Sequence, residues 1–217
     1  MVIAIDRFQL AYMAVPKAAC STVKAMLADA DPGIVKPEQH NTGNRWYHQT
    51  YPTRRFRPDR FAKYDGYFSF TVVRDPIRRL MSVFTNRVAD MKELQNCRRL
   101  RNKRPDLPTD PDPDFFFENF YTYRELSSSI RHHTRESRLF TGPDFDKYDR
   151  VYRTDEIDIL SADLSQRCGK TIRPVQANSS QARLKFDDLN PKAQNVVRPF
   201  LAAEYRHLSG YFDDPMT

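Results

Sequence analysis

The chain has 217 residues, 40% of them hydrophobic and 12% aromatic, which suffices for one compact domain with a real core and is cramped for two. Its net charge of +7 draws anions, without deciding between nucleotide, nucleic acid, acidic glycan and anionic lipid. Cys20, Cys97 and Cys168 form no CxxC pair, which argues against a zinc site or a disulfide framework and for a reducing compartment.

No signal peptide and no apolar run of membrane-spanning length is visible, so the expectation is a cytoplasmic protein with no transmembrane segment. The run "FQLAYMAV" (Phe8 to Val15) is short, apolar and closed by Pro16, and reads as a buried strand. From Thr22 the pattern turns helical, with Val23, Met26, Leu27 and Ala30 on one face, until Pro32-Gly33 ends it. Lys17 falls in the turn between them. Residues 34–63 are polar and basic and read as loops, with a short helix near Pro58.

"YFSFTVV" (Tyr67 to Val73) reads as a second buried strand. A helix follows, with Asp75 as N-cap and Pro76 at its first position. Ile77, Leu80, Met81, Phe84 and Val88 form its apolar face. Residues 92–114 run from basic to proline-acidic and read as a helix end and a surface excursion within the same domain. "FFFENFYTYREL" (Phe115 to Leu126) reads as one helix with Phe116, Phe120 and Tyr123 inward. "RVYRT" (Arg150 to Thr154) reads as a third strand, followed by a helix from Ile157 to Cys168 that Gly169 ends. A last helix starts at Asn190-Pro191, and Pro199 is expected to break or kink it. Strands alternating with helices predict an α/β fold with a parallel sheet flanked by helices.

Two stretches carry chemistry. In "VPKAACSTVK" a strand runs into a helix through small residues, where free backbone N–H groups and the helix dipole attract anions. Ala18, Ala19 and Cys20 let backbone approach a ligand; Ser21 and Thr22 cap the helix or donate to phosphate oxygens; Lys17 adds a point charge. The plainer reading is an ordinary βα turn with a surface lysine. In "FTVVRDPIRRLMSVF", Arg74 stands where a buried strand gives way to a helix, the ligand edge of an open α/β sheet, and Ser82 follows off the apolar stripe. Here the plainer reading pairs Arg74 with Asp75 and leaves Ser82 facing solvent. The lysine precedes the small residues, the reverse of a Gly-x-x-x-x-Gly-Lys-Ser/Thr loop, and no glycine occurs before Gly33, which disfavours a P-loop kinase.

Together the two stretches resemble the nucleotide-binding elements of the PAPS-dependent sulfotransferases, in the carbohydrate-type branch often called sulfotransferase family 2. The resemblance extends more weakly to "RVYRTDEIDILSADL" and to "NSSQARLKFDDLNPKAQ" with "YRHLSGYF". It implies a single sulfotransferase domain over residues 1–217, with a P-loop-NTPase-like central parallel sheet. It also implies a sulfuryl group moved from PAPS to a hydroxyl of a glycan or other carbohydrate-like molecule, in line and without metal. By position, Lys17 and the backbone of Ala18, Ala19, Cys20, Ser21 and Thr22 would hold the 5′-phosphosulfate, and Arg74 and Ser82 the 3′-phosphate. The acceptor's proton needs a base among His40, His48, His132, His133 and His207. His48 lies in the interval where the family often carries its base, His133 or His132 is the alternative, and His207 reads as structural. Arg54, Arg55 and Arg57 are candidates for an acidic acceptor, as are the arginines and lysine of residues 98–104, although a solvated charge run explains these as well. A basic nucleic-acid binder is the remaining alternative, with "CRRLRNKRP" for it and no zinc-finger or RNP-type motif; no nucleic-acid partner is expected.

Overall fold

A computed structural model describes residues 2–35, 43–174 and 184–217. His40 and most of "NSSQARLKF" lie outside the described residues. The chain divides into two compact units, Met1–Arg74 with Ser137–Ser179 and Asp75–Glu136 with Ser180–Thr217.

The first unit is built on a four-stranded sheet in the order β1-β2-β3-β4, with β1 Ile3–Ile5, β2 Leu10–Met13, β3 Phe68–Val73 and β4 Arg150–Arg153. β2, β3 and β4 are parallel; β1 pairs antiparallel with β2, Ile3 opposite Tyr12. The short "VIAI" run at the start thus supplies a strand the sequence reading did not assign, and the sheet is mixed rather than wholly parallel. All four residues of β2 are buried, as expected of a strand covered on both faces. The Thr71 hydroxyl donates to the Met13 carbonyl at 2.7 Å, a side-chain tie between the two central strands.

Helix α1 spans Cys20–Ala30, with Val23, Met26, Leu27 and Ala30 buried as their spacing predicts. Helix α2, Gly43–Thr50, stands where loops were expected; Trp46 and Tyr47 lean on the core formed by β2, β3, α1 and α10 (Ile157–Cys168), and Tyr51 is buried there. That helix was legible in the four-residue spacing of Tyr47 and Tyr51. The short α3, Pro58–Phe61, falls where it was expected, and α10 ends at Gly169 in the left-handed conformation, φ 64°.

The second unit is helical. In α4, Pro76–Val83, Asp75 caps the helix by accepting from the Arg78 N–H at 2.8 Å. Leu80, Met81, Phe84 and Val88 are buried and Ile77 packs against the same core. The predicted aromatic helix is two helices, α6 Pro113–Glu118 and α7 Phe120–Leu126, separated at Asn119, whose φ of −107° departs from helical geometry. Phe116, Phe117, Phe120 and Tyr123 are all buried in one core. Within residues 92–114, α5, Arg98–Lys103, exposes its arginines and buries Leu100, and Leu94 and Leu107 are buried on either side. Helix α11, Pro191–His207, runs unbroken through Pro199. The carbonyl deprived of its partner is that of Asn195, and both residues lie on the exposed face, where water replaces the lost bond. Arg79 and Glu204, each 2% exposed, pair at 2.9 Å between α4 and α11, and Arg79 also donates to the Arg135 carbonyl at 2.6 Å.

Candidate active site

β2 and β3 are neighbouring parallel strands, so the segments leaving their carboxyl ends emerge on one edge of the sheet. Lys17 follows β2 and Arg74 follows β3. The Arg74 guanidinium donates to the Lys17 carbonyl at 3.1 Å. Two turns far apart in sequence are thereby joined.

The Lys17 turn has an unusual backbone. Lys17 and Ala19 hold φ of 66° and 54°, the left-handed region, while Ala18 between them does not. Alternating handedness turns successive N–H groups toward one side and makes an anion-binding concavity. Ala19 is the N-cap of α1 and offers no side-chain cap, so the first N–H groups of α1 have no intrahelical partner. Ser21 and Thr22 lie inside the first turn of α1 and not at its N-cap position. Ala18 is fully buried and Cys20 nearly so; Lys17, Ser21 and Thr22 are half-buried. These features fit an anionic ligand: the uncapped N–H groups at the start of α1, the positive end of an eleven-residue helix, and two cationic residues, Lys17 and Arg74; the Ala18 N–H is engaged by the Val15 carbonyl at 3.3 Å.

α2 packs on α1 and brings His48 to this turn. The Ser21 hydroxyl and His48 Nε2 lie 2.9 Å apart. Lys24 Nζ lies 3.0 Å from His48 Nδ1 and donates to the Thr53 hydroxyl at 2.7 Å. Lys24 is fully buried, and burial lowers its pKa from the ordinary lysine value, with Cys20 pulling the other way. The sequence reading passed over Lys24, although the spacing from Cys20 and to Leu27 sets it at the margin of the apolar stripe of α1.

The other predicted residues are placed as follows. Arg54, Arg55 and Arg57 are exposed, in the connection after α2. Ser82 lies in the second unit, half-buried on α4, its hydroxyl donating to the Arg79 carbonyl at 2.7 Å rather than merely facing solvent. His132 and His133 end α8, Ser128–His133, their rings edge to face at 4.9 Å. His133 Nδ1 donates to the Ser129 carbonyl at 2.9 Å, which makes Nε2 its acceptor nitrogen in the neutral ring. His207 ends α11. A cavity of about 420 Å³ in the first unit lies among Phe68, Arg150, Asp163, Gln166 and Arg167. Phe68 and Arg150 begin their strands, so it opens at the sheet edge opposite Lys17 and Arg74. Among the described residues no group of three or more His, Cys, Asp or Glu side chains is placed to hold a metal ion, and no helix is long and apolar enough to cross a membrane.

The fold is an α/β sheet in which two neighbouring parallel strands lead into a lysine-bearing turn and an arginine. A model described as a sulfotransferase family matches residues 1–203 of the 217, and the chain belongs to that family, the branch called sulfotransferase family 2. Membership makes sulfuryl transfer its class of chemistry. No curated protein and no solved structure matches the chain.

Proposed function

We propose that this protein transfers a sulfuryl group from PAPS to a hydroxyl of a carbohydrate-like acceptor, with residues 1–217 serving as one sulfotransferase domain. The observation that carries the reading is the meeting of Lys17, Arg74 and His48 at one turn: each was singled out in sequence for a different step, and each touches that turn. PAPS supplies an activated sulfate as a mixed anhydride. The backbone of Ala18 to Thr22 holds the 5′-phosphosulfate, and Lys17 stabilises charge on the departing phosphate oxygen. Arg74 and Ser82 serve the 3′-phosphate. His48 takes the acceptor's proton at Nε2, with His133 and His132 as the alternatives. As in phosphoryl transfer, positioning and charge stabilisation do most of the work, and no metal enters this reading. Arg54, Arg55 and Arg57 are proposed to meet an acidic acceptor, and a cytoplasmic location is proposed with them.

The test is thermal unfolding with adenosine 3′,5′-bisphosphate (PAP), the donor's product, against 5′-AMP. A ligand at about 100 times its dissociation constant adds roughly 2.7 kcal/mol to stability. PAP is expected to raise the midpoint clearly and AMP weakly, and Arg74→Ala to abolish the difference. Equal shifts from the two ligands in the native protein would overturn the donor assignment. A labelled-PAPS screen across glycans, lipids, small alcohols and tyrosine peptides then identifies the acceptor.

A further inference from the structure

This inference rests on the reading of His48 as the base and concerns what governs it. A histidine takes a proton only through a ring nitrogen that carries a lone pair. Both nitrogens of His48 are engaged, Nε2 with Ser21 Oγ at 2.9 Å and Nδ1 with Lys24 Nζ at 3.0 Å. An ammonium has donors and no lone pair. While Lys24 is charged, therefore, Nδ1 must be the acceptor, and the single proton of the neutral ring must sit on Nε2, pointing at Ser21. In that state His48 is a donor and not a base.

We propose that Lys24 and His48 form one acid–base unit in which the loss of a single proton converts His48 from a hydrogen-bond donor into the base of the transfer step. The proton balance is explicit. The proton on Nε2 leaves to solvent, and one ammonium proton of Lys24 shifts along the 3.0 Å bond to Nδ1. The product is a neutral amine accepting from Nδ1–H, still donating to Thr53, and an Nε2 lone pair at the turn. When Nε2 then takes the acceptor's proton, the imidazolium is held at Nδ1–H by the amine lone pair. Lys24 is thus a positioning residue: it touches no substrate and acts through His48.

The burial of Lys24 is what brings such a step within reach. An amine kept from water, hydrogen-bonded among the described residues to His48 and the Thr53 hydroxyl, loses its proton more readily than a surface lysine. The titratable neighbours bear on it from each packed element. On α1, Cys20 one turn earlier favours the charged form of Lys24, and Asp31 at the far end is bonded by the Tyr51 hydroxyl at 2.9 Å. On β2, Tyr12 is buried and held in its neutral form by burial and by Cys20. On α10, burial raises the Cys168 thiol, so it stays neutral. His48 itself comes from α2, and Thr53 from the connection after it. Titrations of two groups this close belong to the pair and not to either residue.

The deciding experiment reads the imidazole nitrogens of His48 by ¹⁵N NMR across pH in the ligand-free native protein, in Lys24→Met and in Lys24→Gln, with His48→Gln to assign the signals. In the native protein the ring is expected to pass from the Nε2–H to the Nδ1–H tautomer as pH rises, below the range of a free lysine. In both lysine variants this switch is expected to disappear, leaving only the ordinary imidazolium-to-imidazole step. A native ring that keeps Nε2–H at every pH, or a switch unchanged in the lysine variants, overturns the proposal; the native titration alone decides it if neither variant folds. Turnover gives a second reading: Lys24→Met is expected to lower kcat by about 10- to 100-fold, as misplacement of a catalytic group does. It should also move the pH at which kcat rises, while PAP affinity holds. A protein that shows the coupled switch and yet transfers nothing from PAPS keeps the pair and refutes the sulfotransferase reading, so the two failures are distinct.

Discussion

Ala19 shows how a single side chain is held against its own preference. At φ 54° an L-residue suffers about 1–2 kcal/mol of steric strain. Glycine would relieve it, but loses roughly 0.5–1 kcal/mol more than alanine in conformational freedom on folding. The strain term is the larger, so Ala19→Gly is expected to stabilise the fold by up to about 1 kcal/mol, read as a higher urea midpoint with unchanged slope. Ala19→Val, whose branched side chain fits that region poorly, should lower the midpoint clearly. A destabilised Ala19→Gly would mean that the turn does not hold this geometry in solution. Lys17 shares the left-handed geometry, so its replacement changes both charge and backbone. Lys17→Gly and Lys17→Ala together separate these: loss of PAP binding in both assigns the effect to the ammonium.

At the scale of elements, two contacts in the second unit carry weight that the sequence did not announce. Arg79 and Glu204 are buried and paired, and removing one partner of such a pair strands a charge in low dielectric, at about 3–5 kcal/mol. Glu204→Ala is therefore expected to unfold at markedly lower denaturant, whereas Lys192→Ala, whose 2.7 Å pair with Glu118 has a largely exposed lysine, should change stability by under about 1 kcal/mol. Similar losses from both changes would refute the distinction. The segment over residues 92–114 illustrates the same divide. Its composition of arginines, prolines and aspartates reads as surface, and most of it is exposed, yet Leu94, Leu100 and Leu107 are buried at intervals that follow no single period. A run that alternates between a short 3-10 turn, α5 and irregular chain leaves no regular pattern to detect. The aromatic segment failed for the opposite reason: its pattern was too rich, since its aromatic spacing suits one continuous helix and gives no sign of the break at Asn119.

The whole chain carries +7, and much of that excess stands exposed in Arg54, Arg55, Arg57, Arg98, Arg99 and Arg101. Arg99 meets a carboxylate, Glu125 at 3.6 Å. If these charges draw an acidic acceptor, the attraction is screened over a Debye length of about 8–10 Å at ordinary salt. Replacing Arg98, Arg99 and Arg101 by glutamine is expected to raise the acceptor KM several-fold at low salt and little at high salt, with PAP affinity nearly constant. An acceptor KM indifferent to the change at both salt concentrations would return α5 to a solvated surface.

The sequence by itself determined the α/β class, β2, β3 and β4, α1, the Asp75 cap of α4, the Gly169 stop of α10, and the family that two motifs define. These are local: each rests on periodicity, a capping residue or a short run whose physics is complete within a dozen positions. Tertiary structure alone decided the antiparallel β1, the pairing of Arg74 with the Lys17 carbonyl, the buried pair of Arg79 and Glu204, and the meeting of Ser21, His48 and Lys24. Each depends on which residues distant in the chain become neighbours. A lysine on a helix looks the same in sequence whether its amine ends in water or beside an imidazole, and only packing against α2 makes Lys24 the latter.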